Sequence, residues 1–247
     1  MILPEWTPLN ITLTILYAVM ALSIGAGELS GSARMRYSKF RMQTGIPSRA
    51  GMLLIYGVPF LGALAASWPN LATLSLVQTI VLSAVLIHFG KRCLEALFVH
   101  QYSGPVDLAT ALIVMAFYTA VAVGVAYLNR WPLAAPNGLF WAGLGLFVVG
   151  IAGNFWHHKL LADLRKGQSG YAIPRGGLFE FVACPHYLFE IFTWLGIAML
   201  SQHLFAYLTV LGMGSYLTAR SINTLRWYHE KFPEFPKARK ALIPFIL

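Results

Sequence analysis

The sequence predicts an all-α integral membrane protein. Of its 247 residues, 57% are hydrophobic and 11% are charged, whereas soluble domains have about 45–50% and 25%. The mean hydropathy is +0.64. Seven stretches with few or no charges approach the roughly 20 residues that a spanning helix needs. They are residues 9–27, 51–68, 71–89, 108–128, 139–156, 187–200 and 204–219. Since these runs show no strand-like alternation, they exclude a β-barrel and predict a bundle of about seven transmembrane helices.

The distribution of Lys and Arg predicts how the bundle is oriented. With seven spans, 17 of the 18 basic side chains fall on one side and only Arg130 falls on the other. The positive-inside rule then places the amino terminus outside and the carboxyl terminus in the cytosol. The net charge of +9 therefore lies on one face, where attraction to anionic lipid contributes about 1 kcal/mol per basic residue.

Cysteines and glycines exclude several common sites. Cys93 and Cys184 form no CxxC pair, so we expect neither a disulfide framework nor a zinc site, and we interpret both as buried thiols. Gly143, Gly145 and Gly150 lie in an apolar span with no strand before them. They therefore predict close helix packing and not a dinucleotide-binding turn.

Polar side chains at membrane depth are candidates for a site, because lipid penalises them unless they pair or face a cavity. They are Asn154, His157, His158, Glu190, Trp194, Arg220, Asn223 and Arg226. For the two histidines, an interfacial helix end is the favoured interpretation. Glu190 lies inside an apolar helix and indicates a site. Lys91 and Glu95 are four residues apart, which predicts an ion pair on one helix face.

The stretch "LADLRKGQSGYAIPRGGLFEFVACPHYLFE", residues 161–190, is the one long loop that a bilayer would reject. Pro174, Gly176 and Gly177 predict a turn whose backbone amides can approach an anion closely. Basic side chains in the same loop add positive charge; they are Arg165, Lys166 and Arg175. The loop and the basic tail thus predict a site for a phosphorylated nucleotide at a membrane surface.

Three stretches carry a resemblance to a known family: "LRKGQSGYAIPRGGLFEFV", "CPHYLFE" and "YHEKFPEFPKARKALIPFIL". They resemble the steroid 5-alpha-reductase family, which includes trans-2-enoyl-CoA reductases of fatty acid elongation. The resemblance implies one transmembrane domain that uses NADPH to reduce a carbon–carbon double bond conjugated to a carbonyl in a lipid. Residues 1–106 would supply substrate-side helices, and residues 150–247 would bind NADPH with a cytosolic loop (157–186) and tail (220–247).

The resemblance also implies which residues contact NADPH. They are Arg92, Asn154, Leu161, Arg165, Tyr171, Glu190, Trp194, Arg220 and Tyr228, with His186, Asn223 and Thr224 as substituted positions. Arginines suit the phosphates, aromatic rings suit the bases, and Glu190 with Asn154 suits an amide or a ribose hydroxyl.

The catalytic residues depart from the steroid branch of the family. Tyr56 stands where that branch has Glu, and Phe89 stands where it has Tyr. Tyr56 is a candidate proton donor because a phenol stays protonated at neutral pH, although an interfacial tyrosine is an equal interpretation. Similarity to the enoyl-CoA branch makes Lys91, Arg92 and Tyr187 further candidates. No metal is implied.

The substrate and the class of protein stay open between alternatives at this point. A 3-oxo-Δ4 steroid is favoured over an enoyl thioester. A membrane methyltransferase that uses S-adenosylmethionine is the alternative of another class, and a transporter or scaffold is a third. We expect a lipid substrate and the bilayer as partners, and no nucleic acid. The membrane would be the inner membrane of a bacterium or the endoplasmic reticulum of a eukaryote.

Overall fold

The computed structural model describes residues 1–40, 44–102, 104–166 and 170–247. Arg41 and the loop residues Gly167, Gln168 and Ser169 lie outside them. The described chain folds into seven α-helices, as the seven apolar stretches predict. They are α1 (Pro8–Ser30), α2 (Ser48–Ser67), α3 (Leu76–Leu94), α4 (Leu108–Leu128), α5 (Gly138–Asp163), α6 (Pro185–Ser201) and α7 (Leu204–Lys231). A π-helical turn, Glu95–Val99, follows α3, and a 3-10 turn, Gly177–Glu180, precedes α6.

Four segments are long and apolar enough to cross a membrane by length and composition: α1, α2 extended to Thr73, α4 and α5. Helix α6 has only 17 residues, and α3 and α7 carry charged side chains such as Lys91 and Arg220. On α1, Leu9, Leu13 and Leu16 are each more than half exposed. An apolar surface of this kind is stable next to lipid, so the chain is a membrane protein.

Helices α5 and α7 continue beyond their apolar stretches. Helix α5 runs to Asp163 and α7 runs to Lys231, whereas the apolar stretches end at residues 156 and 219. Hydropathy marks where a helix leaves the lipid and does not mark where its hydrogen bonding stops. The α5 extension carries His158 to the end of α3, where it contacts Arg92. The α7 extension begins at Arg220, which pairs with Glu28 of α1.

Small residues bring α5 and α6 together. A Cβ atom added at Gly143 would lie 2.6 Å from the Met199 Cβ, and one added at Gly150 would lie 2.5 Å from the Thr193 nitrogen. The predicted packing role is therefore confirmed for both glycines. It is wrong for Gly145, where an added Cβ would meet no atom within 4 Å among the described residues.

The apolar core lies between α2, α3, α4 and α6. Phe89 is fully buried there, and Trp194 is 2% exposed. Helix α1 packs on α7, where the Arg220 Nη1 lies 2.9 Å from the buried Glu28 carboxylate. Both cysteines are free. The predicted burial is confirmed for Cys184, whereas Cys93 is only half-buried.

Candidate active site

One cavity of about 210 Å³ opens between the polar ends of the helices. Eight of the fifteen predicted site residues line it: Tyr56, Arg92, Asn154, Leu161, Arg165, His186, Tyr187 and Glu190. Further lining side chains include Tyr37, Tyr118 and His158. The cavity thus collects residues that lie as far apart in sequence as Tyr37 and Glu190, because α2, α3, α5 and α6 end at one place.

Arg92 is the centre of the polar network in the cavity wall. Its Nη2 donates a hydrogen bond to the Tyr56 hydroxyl over 2.7 Å, and its guanidinium lies 4.6 Å from the centre of the Tyr56 ring. Its Nη1 makes a very short contact with the Glu95 carboxylate and lies 2.7 Å from the His158 Nδ1. Because Arg92 is only 9% exposed, these partners fix both the guanidinium and the Tyr56 phenol.

The network continues from Glu95 to Glu190 through Lys91 and Asn154. The Lys91 Nζ lies 3.0 Å from the Glu95 Oε1, which confirms the predicted ion pair. The same ammonium makes a very short hydrogen bond to the Asn154 side-chain oxygen. The Asn154 Nδ2 then donates to the Glu190 Oε2 over 3.0 Å and to the His186 carbonyl over 2.9 Å.

The network balances its charges with two cations and two carboxylates. Lys91 and Arg92 face Glu95 and Glu190, and the His88 Nε2 lies 3.5 Å from the Glu190 Oε1. Buried charges are tolerated when they are paired and hydrogen-bonded in this way. The deep acid at Glu190 is therefore explained by its position in a balanced cluster.

Three of the side chains, Glu95, His100 and His158, lie close enough together to ligate a metal ion. Arg92 lies among them, since its Nη1 is 2.7 Å from the His158 Nδ1 and 3.5 Å from the His100 Nε2. A guanidinium in this place opposes a second cation. We therefore interpret the three residues as part of the hydrogen-bonded network.

Tyr171 and Tyr228 are placed outside the cavity, around a lysine. The Lys39 ammonium lies 5.5 Å from the centre of the Tyr171 ring, 5.7 Å from that of Trp227 and 4.9 Å from that of Tyr228. Arg165 covers the Tyr171 ring at 4.8 Å. Burial, partly opposed by the Cys184 thiol, lowers the pKa of Lys39 to about 8. A basic and aromatic patch thus extends from the cavity at Arg165.

Arg220, Asn223 and Thr224 make structural contacts in this conformation. Besides its ion pair with Glu28, Arg220 donates to the carbonyls of Met35 and Tyr37 over 2.9 and 3.0 Å. The Asn223 Nδ2 donates to the Glu28 carbonyl over 2.6 Å. Thr224 is buried within hydrogen-bonding reach of the Cys184 thiol. None of these three side chains lines the cavity, and Arg226 is exposed on α7.

Trp194 does not line the cavity but packs against the lining residue Tyr118. Its ring is parallel to that of Tyr118 with 6.4 Å between their centres, and it meets Phe89 edge-on. Its Nε1 and the His186 Nδ1 are buried without a hydrogen-bond partner in the described chain. Unpaired buried donors and acceptors are costly, so the His186 Nδ1, which belongs to a cavity-lining residue, is a candidate partner for a polar group of a ligand that opens the site.

The glycine turn of the loop is held by protein groups. Gly176 and Gly177 adopt positive φ angles of 85° and 54°, as a tight turn requires. The Gly176 amide donates to the Glu180 carboxylate over 2.8 Å, and Arg239 donates to the Pro174 carbonyl over 2.8 Å. The turn itself is confirmed. The Gly176 amide has a carboxylate partner in this conformation, and the use of the turn's amides for a ligand anion stays a prediction.

Sequence reasoning missed or undervalued several residues. His158 is 7% exposed and lines the cavity, and His157 is buried with its ring bound to Gly153 and Leu178 backbone atoms, so both histidines contribute to the protein interior. His88 and Glu28 were not singled out. A buried acid in α1 with an arginine in α7 is the signal that could have linked Glu28 to Arg220.

Fold and cavity together define a helical membrane protein with a buried, charge-balanced site of the kind that enzymes use. A profile described as 3-oxo-5-alpha-steroid 4-dehydrogenase matches residues 107–247. The chain belongs to this family.

Curated relatives carry two kinds of name. The chain is 33% identical over 225 residues to 3-oxo-5-alpha-steroid 4-dehydrogenase 1 of Macaca fascicularis, covering 85% of this chain and 83% of the relative. It is 35% identical over 178 residues to very-long-chain enoyl-CoA reductase of Dictyostelium discoideum, covering 70% and 59%. A steroid 5-alpha-reductase of Gossypium hirsutum is 46% identical over 114 residues, which is 44% of each chain.

These names are those of oxidoreductases that act on carbon–carbon bonds, and the predicted enzyme class is thereby confirmed. Family membership decides against the methyltransferase, the transporter and the scaffold.

Proposed function

We propose that the protein is an NADPH-dependent membrane reductase that saturates a carbon–carbon double bond conjugated to a carbonyl in a lipid. The observation that carries this proposal is the continuous network from Tyr56 through Arg92, Glu95, Lys91 and Asn154 to Glu190 around one cavity. It offers a proton donor at one end and partners for a cofactor amide at the other.

The residues fit a nicotinamide cofactor. Glu190 and Asn154 present hydrogen-bonding groups at the cavity wall, and the buried His186 Nδ1 still lacks a partner among the residues with assigned positions. Arg165 and Lys39 would pair with phosphates, and the Tyr171 ring would lie beside the adenine. When bound, the reduced nicotinamide supplies a hydride to the carbon beta to the substrate carbonyl.

The proposal includes an opening of the site when ligands bind, and the small cavity volume supports it. Its 210 Å³ is below the roughly 300–1,000 Å³ of pockets for drug-sized ligands. Tyr37 and Ser38, from the segment between α1 and α2, form part of its wall. Movement of that segment would join the cavity to the patch around Lys39.

In this proposal Tyr56 acts as the acid. Its oxygen already accepts a hydrogen bond from Arg92, so its own hydrogen is directed to another acceptor. As negative charge grows on the substrate carbonyl oxygen, Tyr56 would donate to it, and Arg92 would stabilise charge left on the phenol oxygen. The positions of Tyr56 and Arg92 on neighbouring helices keep this pair together.

Lys91 and Tyr187 fit supporting roles. Lys91 is held by Glu95 and Asn154 and does not line the cavity, so it positions Asn154 and thereby Glu190. Tyr187 lines the cavity beside His186, with 4.2 Å between the ring centres, and is placed to contact a bound ligand.

Two lipid substrates are candidates, and a specific observation favours each. The high coverage of relatives named as steroid dehydrogenases supports a 3-oxo-Δ4 steroid. The relative named as an enoyl-CoA reductase supports a trans-2-enoyl thioester. Both contain an alkene conjugated to a carbonyl, so one arrangement of acid and cofactor serves either.

Side-by-side turnover tests the proposal. Purified protein in detergent or lipid is given NADPH with a 3-oxo-Δ4 steroid or a trans-2-enoyl-CoA, and cofactor oxidation and the saturated product are both measured. We expect product with one substrate and a preference for NADPH over NADH. Binding of S-adenosylmethionine without NADPH binding, or no saturated product with either substrate, would refute the reductase.

The topology proposal is seven spans with the amino terminus outside and the carboxyl terminus in the cytosol. Asymmetry of the basic residues supports it. Single cysteines introduced at Arg130 and Lys237 of a variant lacking both native cysteines test it. We expect an impermeant thiol reagent added outside intact cells to label position 130 alone.

A further inference from the structure

Tyr118 places a second phenol in the cavity wall. It lies on α4 (Leu108–Leu128), whose other side chains are almost all apolar, and it is half-buried among the cavity-lining residues. Within the four described segments its hydroxyl makes no hydrogen bond. The neighbouring Thr119 differs, since its hydroxyl donates to the Met115 carbonyl over 2.7 Å.

The Tyr118 ring is held firmly by aromatic neighbours. Its centre lies 5.9 Å from that of Tyr56, 5.6 Å from that of Phe89 and 6.4 Å from that of Trp194. Offset and edge-on contacts at these distances are favourable. Phe89 is fully buried and offers no polar group to the Tyr118 hydroxyl. Packing against these rings therefore explains the position of the Tyr118 ring but gives its hydroxyl no role.

A fixed hydroxyl without a protein partner is costly at membrane depth unless it meets a ligand or water. Tyr56 lies next to it, yet the two phenols differ, because Tyr56 is bound by the Arg92 guanidinium and Tyr118 is not. Tyr118 therefore keeps both its hydrogen and its lone pairs available to the cavity.

We propose that Tyr118 is a second hydrogen-bond donor to the substrate carbonyl oxygen, beside Tyr56. The substrate class would then be a lipid whose conjugated carbonyl enters the space between α2 and α4. Tyr118 donates a hydrogen bond and keeps its proton, whereas Tyr56, supported by Arg92, transfers its proton to the oxygen. The resulting enol tautomerises, with a proton from water reaching the alpha carbon as the enol proton returns to the Tyr56 phenolate. Two preorganised donors stabilise a developing oxyanion more than one. The inference rests on the proposed reductase activity.

The test compares Tyr118→Phe with Tyr127→Phe, the same change on the same helix at an exposed position beside Trp131. With the better substrate we expect Tyr118→Phe to lower kcat by about 100-fold or more, as loss of one oxyanion donor does elsewhere. Tyr127→Phe should leave kcat within about twofold of the wild-type value, and we take a change of that size as no effect. Full turnover in Tyr118→Phe would overturn the role of Tyr118 and leave the reductase proposal standing.

A binding measurement separates a hydrogen bond from a packing effect. Affinity is measured for a saturated ketone product and for its analogue without the carbonyl oxygen. A hydrogen bond predicts that Tyr118→Phe weakens only the ketone, whereas equal weakening of both ligands would overturn the proposal. If wild-type protein reduces neither substrate, the reductase proposal fails and the role of Tyr118 fails with it.

Discussion

Replacing Tyr56 with Phe tests whether proton donation and cofactor binding depend on different residues. The change removes the hydroxyl that accepts from the Arg92 Nη2, and the buried guanidinium then loses a partner. An unsatisfied buried donor costs about 1–3 kcal/mol, and a chain of this size loses about 2–4 °C in Tm for each kcal/mol. Loss of a positioned general acid lowers kcat by about 10²–10⁴. Cofactor affinity should stay near that of the wild type, because Glu190 and Asn154 are intact.

Turnover at saturating substrate, NADPH binding by titration and Tm by differential scanning report these three quantities. Tyr17→Phe is the matched control, since it removes a hydroxyl that lies 2.9 Å from the Thr209 Oγ1, and neither residue lines the cavity. It should lower Tm slightly and leave kcat unchanged. Undiminished kcat in Tyr56→Phe would refute the assignment of the acid, and lost NADPH binding would show that the phenol serves the cofactor.

Three further outcomes follow from the contacts of the site. Glu190→Gln should weaken NADPH binding roughly 10- to 100-fold by titration, as loss of a charge-assisted hydrogen bond does, and unchanged affinity would remove Glu190 from the cofactor site. The KM for NADPH should rise above about pH 8 as Lys39 loses its proton, and Lys39→Arg, which stays charged, should abolish that rise. Arg220→Met should lower the unfolding free energy by about 3–5 kcal/mol through the unpaired Glu28, and a Tm within error of wild type would contradict its structural role.

The sequence predicted the fold well because hydropathy alone defines membrane helices. All seven helices overlap the apolar stretches. The polar helix ends that contribute most to the site are those that carry Arg92, Asn154 and Glu190. The free-energy cost of burying a polar side chain at membrane depth is a reliable guide to which side chains need partners. It does not say which partner each side chain finds, since that depends on how the helices are arranged.

Arg220 and Tyr118 show the two ways in which such reasoning stops short. Arg220 was expected at the cofactor, yet its partner is Glu28, from the other end of the sequence. Tyr118 gave no signal, because one tyrosine in an apolar span resembles a packing residue until its hydroxyl is seen to lack a partner. The interfacial interpretation of Tyr56 has the same cause, and its contact with Arg92 replaces that interpretation.

The contacts of Arg220 tie the last helix to the rim of the cavity. One side chain on α7 holds the carbonyls of Met35 and Tyr37, and Tyr37 forms part of the cavity wall. Any displacement of that rim to admit a ligand must either break the two hydrogen bonds from the Arg220 side chain to these carbonyls or carry α7 along. Entry of cofactor and the tilt of the carboxyl-terminal helix would then be mechanically coupled, so a lipid or inhibitor that wedges against α7 would alter how fast the cofactor exchanges.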